Sequence, residues 1–234
     1  MLAFVDERHM ESAERVRLLI ERGRHDQSFF RMALLGVAPT DRDAWVNLVF
    51  GLGEIPDDGP ELPKGCVPYL PSSVDVLLRV VEQAYVGAPD VFVEVGAGVG
   101  RAAALVHLLT GASVVGIEIQ PKLVRASRDL VTRLLVSRVS CIEGDAVQLT
   151  GLVSIGSVFF LYCPFGGERL AKVVADLEPI ARTKMIRVCC VDLPPLACPW
   201  LTLEPAALGD LAVYRSTWHG ESLASWASPA TRAP

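Results

Sequence analysis

The run VFVEVGAGVGRAA, Val91 to Ala103, constrains this chain more than any other stretch. Val91, Phe92 and Val93 are β-branched or aromatic and read as a strand; Gly96, Gly98 and Gly100 follow, and an Ala/Leu-rich helix former begins at once. Glycine lets a backbone take positive φ and approach a ligand with no Cβ in the way, and the start of the next helix offers unpaired N–H groups. Such a strand–turn–helix cradles a nucleotide. In the dinucleotide fingerprint G-x-G-x-x-G/A, counted from Gly96, the third small residue falls at position 101, where close helix-to-strand packing demands Gly or Ala. This chain has Arg101 there, which argues against a nicotinamide dinucleotide.

Two more strand ends carry acids. ASVVGIEIQP reads as a buried strand, Ser113 to Ile119, with Glu118 at its tip, and RVSCIEGDA as a third strand ending in Asp145. An ionised carboxylate at a strand tip is acceptor-only and can take both hydroxyls of a ribose. EVGAGVG, GIEI and GDA, in that order and spacing, resemble the successive cofactor-binding motifs of class I S-adenosylmethionine-dependent methyltransferases, from roughly Tyr69 to Arg215. The turn YLPSS before the preceding helix is similar to a loop that closes over the cofactor in relatives of the non-SET histone lysine methyltransferases.

The resemblance implies an α/β fold: a doubly wound, seven-stranded, mostly parallel sheet ending in an antiparallel hairpin. It also implies S-adenosylmethionine as cofactor. By that likeness Glu94, Gly96, Gly98 and Gly100 hold the methionine part, Glu118 the ribose, and Asp145 and Ala146 the adenine edge, with Tyr69, Ser72, Ala97, Ile119 and Tyr162 as further contacts. The end of the fourth strand, YCPF, occupies the place of the [ND]-P-P-[YF] motif of many amino-group methyltransferases, which makes Cys163, Pro164 and Phe165 the candidate catalytic wall. Cysteine is a weak acceptor. The departure puts an exocyclic base amine in doubt and leaves other N, O or S acceptors open.

The rest of the chain sets bounds. A formal charge of -5 and a pI near 5.4 give no electrostatic footprint for nucleic acid, which discounts DNA or RNA as an obligate partner. Six cysteines form no C-x-x-C pair and have no histidines at metal spacing, so no metal is expected and buried thiols are the reading. No apolar run reaches 18 residues and the N-terminus turns charged early, so a soluble, cytoplasmic protein with no membrane partner is expected.

Residues 1–55 contain three amphipathic segments, Glu11 to Gly23, QSFFRMALLG capped by Asp26, and RDAWVNLVFG capped by Thr40 or Asp41, which form a helical cap or a scaffold over one sheet edge. Residues 56–71 are rich in Pro and Gly and read as a linker. Residues 72–220 form the catalytic domain and 221–234 a disordered tail. The helix from Arg101 to Leu109 carries His107 as a packing or surface residue. The helix Gln120 to Leu135 exposes Lys122, Arg125, Arg128 and Arg133, SVFFLYCPF spans Ser157 to Phe165, and KMIRVCCVD ends at Asp192. WLTLEP and LAVYRSTW read as a hairpin; its antiparallel second strand carries His219 away from the ligand end, leaving Glu204 the better placed acid. Three functions fit: methyl transfer to a protein or peptide side chain, methyl transfer to a small molecule, or a non-catalytic nucleotide-binding module with the same fold.

Overall fold

A computed structural model of the chain describes residues 7–24, 26–59, 62–205 and 209–217. Five strands, β1 (Val91–Val95), β2 (Ser113–Glu118), β3 (Val139–Glu143), β4 (Val158–Tyr162) and β5 (Arg187–Val191), are parallel, and β6 (Leu201–Leu203) and β7 (Leu211–Ser216) complete a sheet of order β3-β2-β1-β4-β5-β7-β6. β7 is antiparallel to both β5 and β6, so six strands run one way and one runs against them. The strands carry continuous apolar runs because helices cover both faces. Phe92, Phe160, Cys189 and Val213 face one side with Leu77 and Val80 of α4 (Val74–Gln83), Leu105 and Leu108 of α5 (Arg101–Thr110) and Leu130 of α6 (Pro121–Arg133). Val93, Phe159 and Leu161 face the other, against Val173, Leu177 and Ile180 of α8 (Gly167–Thr183).

The N-terminal helices α1 (Glu7–Glu21), α2 (Gln27–Leu35) and α3 (Arg42–Phe50) extend the first of these cores: Ile20, Phe30, Leu34, Trp45 and Phe50 are buried in one apolar cluster with Leu105 and Leu108. Trp45 donates its indole N–H to Ser12 Oγ at 2.8 Å, which ties α3 to α1. Asp26 caps α2 by accepting from the Phe29 N–H at 2.7 Å, and Ser73 caps α4 through Val76 N–H. Asp41 does stand at the start of α3, but a 3-10 turn over Pro39–Asp41 leads in and neither Thr40 nor Asp41 makes a side-chain cap; Asp41 instead faces His9.

Two of the boundaries that differ from expectation shape the site. β4 stops at Tyr162 because Cys163 turns to φ +32° and Pro164 has no N–H to continue a ladder. β3 stops at Glu143, and Asp145 instead caps the short helix α7 (Ala146–Leu149), accepting from Val147 N–H at 2.9 Å. His107 closes α5, its ring Nδ1 2.8 Å from the Ala112 carbonyl, as a packing residue would. His219 and the 221–234 tail lie outside the described residues.

Candidate active site

The strand order reverses between β1 and β4, and an open cleft lies there beyond the carboxyl ends of β1 to β4. Glu94, Gly96, Ala97, Glu118, Ile119, Asp145, Ala146, Tyr162, Cys163, Pro164, Phe165, Tyr69 and Ser72 line it together. Gly98 and Gly100 do not. Gly98, at φ +54°, lies under the Tyr69 ring, so close that a Cβ there would sit 1.9 Å from a ring carbon. Gly100, at φ +75°, admits α6: its Cβ would sit 2.2 Å from Ser127 Oγ. The second and third glycines therefore let protein approach protein, with the cleft shaped as the result.

The three acids differ in what they have left to offer. Glu94 is 5% exposed, its Oε2 has no hydrogen-bond partner, and burial pushes its carboxyl up to about 8 against a contrary pull from the Ala103 N–H at the start of α5. Glu118 accepts from Gly98 N–H on Oε2 and from Gln120 N–H on Oε1, both at 2.8 Å. The Ile119 N–H also acts on this carboxylate, which with about four acceptor positions is not yet saturated. Burial raises its pKa, and the N–H groups of Gln120, Gly98 and Ile119 oppose the rise. Asp145 is held below its ordinary value: although partial burial pushes its pKa upward, the Arg169 guanidinium and the Val147 N–H more than offset that.

The stretch read as a linker is a wall of the cleft. Tyr69 N–H donates to Asp58 Oδ1 at 2.9 Å, Gln120 Nε2 donates to the same atom at 2.7 Å, and Gly59 N–H donates to Gln120 Oε1 at 2.6 Å. On the opposite side Cys66 bridges Phe165, with Val67 N–H to Pro164 O at 3.1 Å and Gly166 N–H to Gly65 O at 3.3 Å. The strap is thus clipped to the tip of β2 and to the YCPF turn. Phe165 is 4% exposed, packs in the α8 core and lies 5.5 Å beneath the Arg169 guanidinium. Burial pushes the Cys163 thiol up, aided by Asp192, so it is held protonated.

Arg101, Gln120, Arg169 and Cys66 also line the cleft and escaped the sequence reading. Arg101 alone carried a signal, since a cation at the first position of a helix opposes the dipole unless an acid from elsewhere meets it. Glu204 is remote: it pairs with Arg215 at 3.2 Å within the terminal hairpin. Among the described residues, no group of three or more His, Cys, Asp or Glu could hold a metal, and no helix is long and apolar enough to cross a membrane.

A sheet of this order, with one antiparallel strand and a glycine-turn cleft at its switch point, is the fold of the class I S-adenosylmethionine-dependent methyltransferases. The family model described as protein-L-isoaspartate(D-aspartate) O-methyltransferase matches residues 70–150, roughly a third of the chain. No curated protein matches. Among solved structures, an RNA methyltransferase from Salinibacter ruber in complex with S-adenosyl-L-homocysteine is 27% identical over 63% of this chain and 92% of that one, with a TM-score of 0.48. A Staphylococcus aureus protein named as a candidate caffeoyl-CoA O-methyltransferase is 13% identical (64% and 86% covered, TM-score 0.50). The Escherichia coli protein yhhF, named as a candidate methyltransferase, is 17% identical (67% and 90%, TM-score 0.50). The last two are likenesses of fold.

Proposed function

We propose that this chain is an S-adenosylmethionine-dependent methyltransferase acting on a protein or peptide side chain. The observation that carries the cofactor reading is the orphaned Glu94 Oε2, buried at the tip of β1 beside the glycine turn. A buried acceptor without a partner is costly, and a bound ammonium removes the cost. The amino-acid end of the cofactor supplies such an ammonium. Glu118, an acceptor at the tip of β2 that lines the cleft, suits the ribose hydroxyls, and Asp145 with Ala146 suits the adenine edge. The residues present therefore fit the group.

When bound, the sulfonium supplies a methyl group whose leaving group is already activated. The chain's residues have only to hold an acceptor in line with it and exclude water. Pro164 and Phe165 form the rigid side of that acceptor space, and Cys163 leaves the strand beside them. The match to a family of protein carboxylate methyltransferases supports a protein side chain as acceptor, as do Val67 and Leu70, apolar and exposed on the strap at the cleft's edge. A small metabolite is the second reading, favoured by the strap itself, because its pairing with the YCPF turn narrows the acceptor end. Methyl-labelled cofactor incubated with the protein and a cell lysate, then split by size, decides between them. Label in the macromolecular fraction supports the first, label in the small fraction the second, and label in neither, with cofactor bound, supports a non-catalytic module.

A further inference from the structure

Arg101 is 4% exposed and lines the cleft, and its guanidinium is held mostly by the N-terminal helix α3. Its Nε donates to Asn47 Oδ1 at 2.7 Å and its Nη2 to Asp43 Oδ1 at 2.6 Å and to the Asp43 carbonyl at 3.3 Å, all on α3. Nη1 donates to the carbonyl of Ser72 at 2.7 Å, on the turn that follows Tyr69. A guanidinium has five N–H groups in one fixed plane. Four are spent, and one on Nη1 has no partner among the described residues. Asp43 also accepts from Val74 N–H at 3.0 Å, so one carboxylate fixes Arg101 and the start of α4 together. Neither Asp43 nor Asn47 lines the cleft.

We propose that α3 completes the cofactor site: Asp43 and Asn47 are positioning residues that aim the remaining N–H of Arg101 at the carboxylate of the cofactor's amino-acid end, opposite the ammonium held by Glu94. This rests on the S-adenosylmethionine reading above. It explains why a cation is tolerated at the first position of α5, where the helix dipole opposes it: the negative end of a ligand and the Asp43 carboxylate offset the charge. It also gives the N-terminal helices a task that neither substrate binding nor simple coverage of the sheet requires.

The test compares two ligands that differ only at the amino-acid end, S-adenosylhomocysteine and 5′-methylthioadenosine, titrated calorimetrically into the whole chain and its Asn47→Leu and Asp43→Asn variants. Asn47→Leu keeps side-chain size and leaves the cap on Val74 intact, so it stays informative if Asp43→Asn loosens α4. Loss of an aligned charge-assisted hydrogen bond should weaken S-adenosylhomocysteine by about tenfold to a hundredfold while methylthioadenosine changes by less than about twofold. Equal weakening of both ligands, or no weakening of either, overturns the proposal. If the unaltered chain binds neither ligand, it is the cofactor reading that has failed.

Discussion

At the scale of single residues, Glu94 makes the sharpest forecast. Burial lifts its carboxyl in the folded protein to about 8, far above the ordinary 4.5, so the folded protein holds this proton more tightly than the unfolded chain does. Its contribution therefore favours the folded state below about pH 4.5 and is lost as pH rises towards about 8. A ligand ammonium needs the ionised carboxylate. Binding of S-adenosylhomocysteine at pH 7 should accordingly release close to one proton, measured as a heat that depends on the buffer's ionisation enthalpy, and affinity should rise between pH 6 and pH 8. Glu94→Gln should abolish the release; an unchanged release in that variant would assign the proton elsewhere. Glu118→Ala should cost about 1 to 3 kcal/mol of cofactor affinity through the ribose hydroxyls it leaves unpaired. Gly98→Val should abolish binding, because its side chain displaces Tyr69 rather than because it meets the ligand. Restoration of affinity in a Gly98→Val, Tyr69→Ala double variant would separate those two explanations.

Among the elements, the YCPF turn and α3 make opposite forecasts. Phe165→Ala should lower turnover, since the acceptor loses its rigid wall, but it also removes the ring under Arg169 and so disturbs Asp145 at the adenine edge. Both kcat and cofactor affinity should fall, whereas Cys163→Ser, which keeps size at a held-protonated thiol, should leave cofactor affinity unchanged and turnover nearly so. A Cys163→Ser protein that binds cofactor and has lost all turnover would reveal a thiol role. Trp45→Ala should cost about 3 to 5 kcal/mol of stability by urea unfolding, the usual range for an aromatic deleted from a closed core. It should do so in the same transition as the sheet, because Trp45 shares one apolar cluster with Leu105 and Leu108. A separate, earlier transition would mean that the helices unfold as their own unit.

Over the whole molecule, what could be read from the sequence was whatever repeats a local pattern. Apolar runs without alternation gave the parallel strands, the acids at the tips of β1 and β2 and just beyond β3 gave the cleft floor, and WLTLEP with LAVYRSTW gave the hairpin. What escaped depends on distance in space. The residues 56–71 lack any period, so nothing marked them as a wall until Asp58 met Gln120 and Cys66 met Phe165. Arg101 was legible only as the wrong residue for a dinucleotide site; its partners Asp43 and Asn47 come from 58 and 54 residues earlier in the chain. The glycines were found for a sound reason, but what packs on them was not legible, because positive φ says that something comes close without saying whether it is ligand or protein.

One thermal-shift measurement tests the central claim most directly. The purified chain is melted alone, with S-adenosylhomocysteine and with NADH, each ligand in large excess. A ligand that binds only the folded state stabilises it, by about 2.7 kcal/mol at a hundred times its dissociation constant. The account predicts a clear upward shift with S-adenosylhomocysteine and none with NADH. A shift with NADH alone, or with neither ligand, would contradict it.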